Sequence, residues 1–230
     1  MTRSAKVLKA ADWMSDPGVW SGRIEGTRLG PDLTLLLYAS EVDGTAVRPH
    51  AHPYDELFVL REGRLRFTVG DAVIEAQAGD VLLGPAGLPH GFEKIGPGRA
   101  ESLNLHLSAS PVWLEPADGR PAPGAAPRRV GRATWEDAAG SGSGRVEGRD
   151  LGAAATILFF ATEEAGKGPP LHVHDYDEVF VIRRGRAEFT VGDAVFEAEP
   201  GDVIFGPAQV PHKFRTLGPF ETTDLHLSDR

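Results

Sequence analysis

The sequence predicts an all-β protein built from two tandem barrel-like units, and three observations carry that expectation. The chain repeats itself at a constant offset of 122 residues: FTVGDAV at 67–73 recurs unchanged at 189–195, GRIEG at 22–26 returns as GRVEG at 144–148, and ADW at 11–13 as ATW at 133–135. Chance similarity does not keep one offset for so long, so a tandem duplication is the economical reading. Each copy is also a series of short runs rich in Val, Leu, Ile and Phe (LTLLLYAS, ELFVLREG, RLRFTV, AVIEAQ and VLLG in the first), bounded by Gly, Asp or Pro. Such spacing belongs to the strands of a sandwich or barrel. Finally, no segment has a helical period, apart from a short turn within residues 5–14.

The elements follow in order. Residues 69–72 and 191–194, both VGDA, read as tight hairpin turns, because glycine and aspartate tolerate the positive φ these turns require. Residues 76–80 and 198–202 read as the next turns. The offset holds through His90 and His212, after which the second copy is two residues shorter and LNLHLS at 103–108 pairs with TDLHLS at 223–228. Between the copies lies SPVWLEPADGRPAPGAAPRR at 110–129, whose Pro, Gly and Ala content reads as a linker. The resulting division is 1–112, a linker at 113–127, and 128–230. Trp113 and Leu114 are expected to dock on a domain, leaving 116–127 as the flexible part. Trp13 and Trp135 are read as anchors packing on the barrels.

Composition narrows the function. Twenty-four Lys and Arg against 33 Asp and Glu give a net charge of -9. That balance disfavours nucleic acid and anionic membranes as partners. The absence of cysteine excludes disulfides, thiolate ligands and a cysteine nucleophile. The first residues lack the apolar run of a signal peptide, and no stretch approaches the ~20 apolar residues of a transmembrane helix, so a cytoplasmic location is expected.

All eight histidines fall in the repeat, four per copy. His50 and His52 are two residues apart, as are His172 and His174; in a strand such residues share a face. Glu56 and Glu178 lie an even step further on, beyond a turn, and His90 and His212 follow a stiffening proline. Three imidazoles and one carboxylate suit Fe, Mn, Co, Ni, Cu or Zn as the divalent ion, up to two per chain. Four protein ligands in an octahedral site leave two positions for water, substrate or dioxygen.

With these residues in view, the chain resembles the cupin superfamily. The first cupin motif, G-x5-HxH-x3-E-x6-G, is met by Gly44, His50, His52, Glu56 and Gly63, and again by Gly166, His172, His174, Glu178 and Gly185. The second, G-x5-P-x-G-x2-H-x3-N, is met by Gly79, Pro85, Gly87 and His90, with Lys94 in place of Asn. In the second copy Gly201, Pro207 and His212 match, while Gln209 replaces the glycine and Thr216 the Asn. The resemblance covers nearly the whole chain. It implies a bicupin: two tandem double-stranded β-helix (jelly-roll) barrels, each with a metal inside.

Among bicupins with intact ligands, the resemblance points to quercetinase-like dioxygenases, oxidoreductases in which an enolate at the metal meets dioxygen. Glu56 and Glu178 are then the expected catalytic bases. Oxalate-degrading bicupins are a variant on a longer chain. The alternatives are a small-molecule-binding or sensor cupin with a structural metal, and a metal-dependent isomerase or hydrolase. The partner is a small-molecule substrate or ligand, and the chain is expected as a monomer or homodimer.

Around the ligands, His106 and His226, with Asn104 and Asp224 two residues earlier, are candidate groups behind the ligands or on the substrate, as are Tyr54 and Tyr176. Asp55 and Asp177 read as turn residues. Phe58, Phe92, Phe180 and Phe214 read as core. Lys213 and Arg215 are expected to make the second mouth more cationic.

Overall fold

The computed structural model describes residues 4–14, 16 and 19–229. It is 47% strand and 8% helix, and it divides into two compact units. Each unit is a pair of antiparallel sheets. In the N-terminal unit the larger sheet runs Arg128–Val130, Val81–Gly84, Glu56–Glu62, Ala100–His106, Thr34–Ser40, Gly22–Ile24. The smaller runs Ala46–His50, His90–Lys94, Arg64–Val69, Ala72–Gln77. In the C-terminal unit the order is Lys6–Leu8, Val203–Gly206, Glu178–Arg184, Phe220–His226, Thr156–Thr162, Gly144–Val146, with a second sheet of Ala194–Ala198, Ala187–Val191 and His212–Thr216. A bridge between His172 and His212 extends that second sheet.

Every expected run is a strand, and the two barrels are the jelly rolls that the cupin resemblance implied. Apolar side chains of both sheets interdigitate between them, as in any two-sheet sandwich. Phe58, Phe67 and Phe92 form the centre of one core and Phe180, Phe189 and Phe214 that of the other.

The strand pairing sorts the chain differently from the boundaries 1–112, 113–127 and 128–230. The strand Lys6–Leu8 pairs with Val203–Gly206, so Met1–Met14 groups with Trp135–Arg230. The strand Arg128–Val130 pairs with Val81–Gly84 and groups with the N-terminal unit. An edge strand's open backbone groups need partners, and the sequence does not say which sheet edge will supply them. The turn expected within 5–14 is a strand followed by a 3-10 turn, Ala10–Asp12. Trp13 is buried and donates from Nε1 to the Gly201 carbonyl at 2.9 Å, and Trp135 stacks on Phe159 at 4.0 Å, so both are anchors.

The segment read as flexible at 116–127 opens with a 3-10 turn, Pro116–Asp118, and lies tightly on the turn at Gly87. A β-carbon on Gly87 would sit 2.4 Å from the Arg120 carbonyl.

The four glycines of the first motif do two different jobs. Gly44 and Gly166 have φ of +76° and +80° with open space around them, so they serve only the turn. Gly63 and Gly185 have φ of +69° and +74°, and an added β-carbon would lie 2.2 Å from the Arg99 carbonyl oxygen or 1.7 Å from that of Pro219. Gly44→Ala is therefore expected to cost about 1 kcal/mol, the strain of a left-handed alanine. Gly63→Ala or Gly185→Ala should cost clearly more, because backbone must also move. Denaturant titration of the three variants measures this, and equal losses would contradict it.

Candidate metal centres

In each barrel the candidate ligands arrive from both sheets at one end. His50 closes Ala46–His50 and pairs in register with His90, which opens the next strand of the smaller sheet. Glu56 opens Glu56–Glu62 opposite His106, the last residue of Ala100–His106, in the larger sheet. His52 comes from the connection between the sheets. The second copy repeats this: His172 opposite His212, Glu178 opposite His226, and His174 from the connection. The ligating atoms of His50, His52, Glu56 and His90 lie within 4.8 Å of one another, as do those of His172, His174, Glu178 and His212.

Backbone carbonyls fix the ring tautomers. Nδ1 faces Arg48 O in His50, Leu88 O in His90, both at 2.8 Å, and Val112 O in His52. In the second copy it faces Pro170 O in His172 at 2.9 Å, Tyr176 O in His174 at 2.7 Å, and Val210 O in His212 at 2.8 Å. A carbonyl can only accept, so each Nδ1 carries the hydrogen, and the neutral ring keeps its lone pair on Nε2.

Those lone pairs converge on a carboxylate. His90 Nε2 is 2.9 Å and His52 Nε2 3.3 Å from Glu56 Oε2; His174 and His212 Nε2 are each 2.9 Å from Glu178 Oε2. His50 Nε2 and His52 Nε2 are buried without a hydrogen-bond partner. Acceptors facing one another in a buried space repel, and a divalent cation among them reverses the sign. Three neutral imidazoles and a carboxylate fit a transition metal of the class expected.

The remaining oxygen of each carboxylate meets the fourth histidine. His106 Nε2 is 3.1 Å from Glu56 Oε1, and His226 Nε2 is 2.9 Å from Glu178 Oε1. Tyr54 stacks on His52 with ring centroids 5.1 Å apart, and Tyr176 on His174 at 4.0 Å. Asn104 is buried and accepts from Ser102 Oγ at 2.7 Å; Asp224 is buried and accepts from Thr222 Oγ1 at 2.8 Å. Asp55 and Asp177 instead hold the neighbouring turn, accepting from Ala86 N at 2.8 Å and Ala208 N at 2.9 Å.

Electrostatics separates the copies. Burial would raise the Glu56 and Glu178 carboxyls, but the surrounding imidazoles outweigh it and hold both well below the usual carboxylate range. Burial and then the charge of Glu178 push Asp224 well above that range, whereas the first copy has the amide of Asn104. Burial lowers His50 to about 4. At His212 burial acts the same way, but Glu178 overcomes it and the value is raised.

One sequence expectation needs revision. Lys213 and Arg215 alternate with the buried His212, Phe214 and Thr216 and are exposed, with Arg215 3.6 Å from Glu188. Strand parity turns them away from the ligands, so they do not make the second site cationic. The departures from the second motif also have a local reason. The Lys94 side chain is buried and donates to Gly96 O, and Thr216 Oγ1 donates to Glu164 O at 2.8 Å.

Sequence reasoning missed how the segment after His106 meets the N-terminal centre. The Trp113 ring lies 4.4 Å from that of His50 and 4.8 Å from that of His52. Beside it opens a cavity of about 300 Å³ that reaches His50 and Glu56.

Two facing antiparallel sheets with three histidines and a glutamate gathered between them, twice over, define a duplicated metal-binding jelly roll. The cupin domain profile matches residues 39–106 and again 159–226, and the chain belongs to the cupin family as a bicupin. No curated protein matches it by sequence. Among solved structures, a deletion mutant of Bacillus subtilis oxalate decarboxylase is similar at 16% identity and a TM-score of 0.81, covering all of this chain and 78% of that one. A structure of the same enzyme concerned with its Mn(II) centres is similar at 16% identity and a TM-score of 0.80, covering 100% and 79%. A third, of that enzyme at pH 4.6, has 16% identity and a TM-score of 0.76, covering 100% and 78%. Among the described residues no helix is long and apolar enough to cross a membrane.

Metal ligands must be deprotonated, so protons compete with the ion. Elemental analysis is expected to find two metals per chain, and one in each of His50→Ala and His172→Ala. On acidification the His50→Ala chain, which keeps only the C-terminal centre, should lose its metal at the higher pH. Its raised His212 takes up a proton early, whereas His50 stays unprotonated to about pH 4. Equal release midpoints, or the reverse order, would contradict this.

Proposed function

We propose that this bicupin is a metal-dependent enzyme acting on a small enolic or carboxylate-bearing molecule, with dioxygenase-type oxidation as its reaction. One observation carries the enzymatic reading. The N-terminal cavity is lined by His50 and Glu56 themselves, so a small molecule filling it reaches the ligand cluster directly. A metal kept only for stability needs no such access.

The expected ligands are His50, His52, Glu56 and His90 in one barrel and His172, His174, Glu178 and His212 in the other. A bound divalent ion supplies Lewis acidity, favouring the ionised form of an enol or acid. The protein's own groups divide the remaining work. The carbonyls behind the rings fix each imidazole's tautomer. His226 hydrogen-bonds the outer oxygen of Glu178, and His106 Nε2 approaches that of Glu56 to 3.1 Å, leaving the inner oxygens among the other three rings. Glu56 is ionised at neutral pH and adjoins the cavity, so it is placed to accept the substrate's acidic proton.

The likeness to oxalate decarboxylase supports the fold and makes decarboxylation the competing reaction to measure. The test is oxygen consumption by metal-loaded protein with a panel of enolic compounds, run beside carbon dioxide release from oxalate. Metal-dependent oxygen uptake is expected, with kcat falling by about 10²–10⁴ when Glu56→Gln is added to the His172→Ala chain, which keeps only the N-terminal centre, at matched metal content. Release from oxalate without oxygen uptake would reassign the reaction to a lyase. Ligand binding without turnover would leave a sensor. His106→Ala should weaken metal binding by about 10–100-fold through its hold on Glu56, measured by competition with a chelator; unchanged affinity would remove His106 from that role.

A further inference from the structure

We infer that the segment joining the two repeats is a strap that gives the N-terminal centre its substrate specificity, with Trp113 as the residue that selects a flat, apolar monoanion. The inference rests on the metal-dependent reading of that centre and adds the class of molecule it takes.

The strap is fixed at several points. Ala51 N donates to Leu114 O at 3.1 Å and Leu114 N to Ala51 O at 2.9 Å. Val112 N donates to Tyr54 Oη at 2.7 Å. The Val112 carbonyl accepts from His52 Nδ1 and so sets that ligand's tautomer. In the second repeat the corresponding ring, His174, uses Tyr176 O from its own turn. Further along, the strap packs on Gly87, where the structure has no room for a β-carbon. At the corresponding place in the second repeat stands Gln209, exposed and with φ of +64°. The glycine of one copy is thus explained by the strap lying on it, and the side chain of the other by open surface.

These bonds place Trp113 against His50 and His52 with nearly half of its surface still exposed, at 47%. Its ring forms a wall of the cavity together with Leu36, Tyr38, Val47 and Phe92. At the polar end stand His50, Glu56 and Asn104, and none of the lining residues is Lys or Arg. A small dianion such as oxalate would fill little of this space and would find no cationic side chain for its second charge. A single acidic oxygen at the ligand cluster, joined to a planar apolar body against Trp113, matches both ends. A cavity of about 300 Å³ is at the lower end of the range, about 300–1,000 Å³, that holds such molecules.

The experiment is calorimetric titration of the full metal-loaded chain with 2-naphthoate and with oxalate, for wild type, Trp113→Ala and Trp113→Phe, with metal content measured on every sample. Wild type is expected to bind 2-naphthoate more tightly than oxalate. Trp113→Ala should weaken 2-naphthoate by about tenfold, the loss of one aromatic contact and its buried area, and leave oxalate and metal content unchanged. Trp113→Phe should recover most of the loss. Tighter binding of oxalate, or unchanged 2-naphthoate affinity in Trp113→Ala, would overturn the inference. So would a loss for both ligands in both variants with metal content intact, since that is damage to the barrel and not selection. Failure of the metal-dependent reading would show separately, as 2-naphthoate affinity that does not change when metal is removed from wild type.

Discussion

The structure turns on a repulsion that only a cation relieves. In each barrel, imidazole lone pairs and a carboxylate are aimed at one another, with Glu56 and Glu178 almost fully buried. Burial alone would favour the neutral carboxylic acid; a hydrogen donated by the fourth histidine, His106 or His226, whose tautomer no carbonyl fixes, works against it and favours the carboxylate. Each of the other three rings is prevented from turning its hydrogen inward by a carbonyl behind it. The cluster is thus preorganised for positive charge, and an ion that binds it stabilises the barrel by the same free energy that holds the ion.

This constraint explains why two sheets are needed. Glu56 and His106 are register partners in the larger sheet, His50 and His90 in the smaller, and His52 bridges them. A slip of one residue in either sheet would turn its ligands to the outer face. Gly63, pressed against the Arg99 carbonyl where the chain leaves the Glu56 strand, helps to hold that register. The phenylalanine cores below the site set the spacing between the sheets.

Most of the site was legible because its signals are local. Two residues apart on a strand, a turn, an even step to a glutamate and a proline before the last histidine are all read from spacing, and duplication confirms each by repetition. The carboxylate's second partner was legible only as a recurring histidine, because the pairing of His106 with Glu56 is a matter of strand register between distant segments. Lys213 and Arg215 misled through charge taken without parity: they occupy the alternate face of the strand that carries His212. The membership of Lys6–Leu8 and Arg128–Val130 in their sheets, and the course of 113–121, depend on edges and surfaces that local sequence does not encode.

Duplication with divergence is the remaining pattern. The ligands are identical in the two copies, while the groups around them differ in charge and shape: Asn104 against Asp224, Val112 O against Tyr176 O behind the second histidine, Gly87 against Gln209. Burial and the charge of Glu178 push Asp224 well above the usual carboxylate range, whereas the first copy has the uncharged amide of Asn104 in its place. Trp113 and an apolar cavity stand beside the N-terminal centre. The same set of three histidines and a glutamate thus stands in unlike surroundings in the two copies, and it is in those surroundings, not in the ligand set, that the two centres differ.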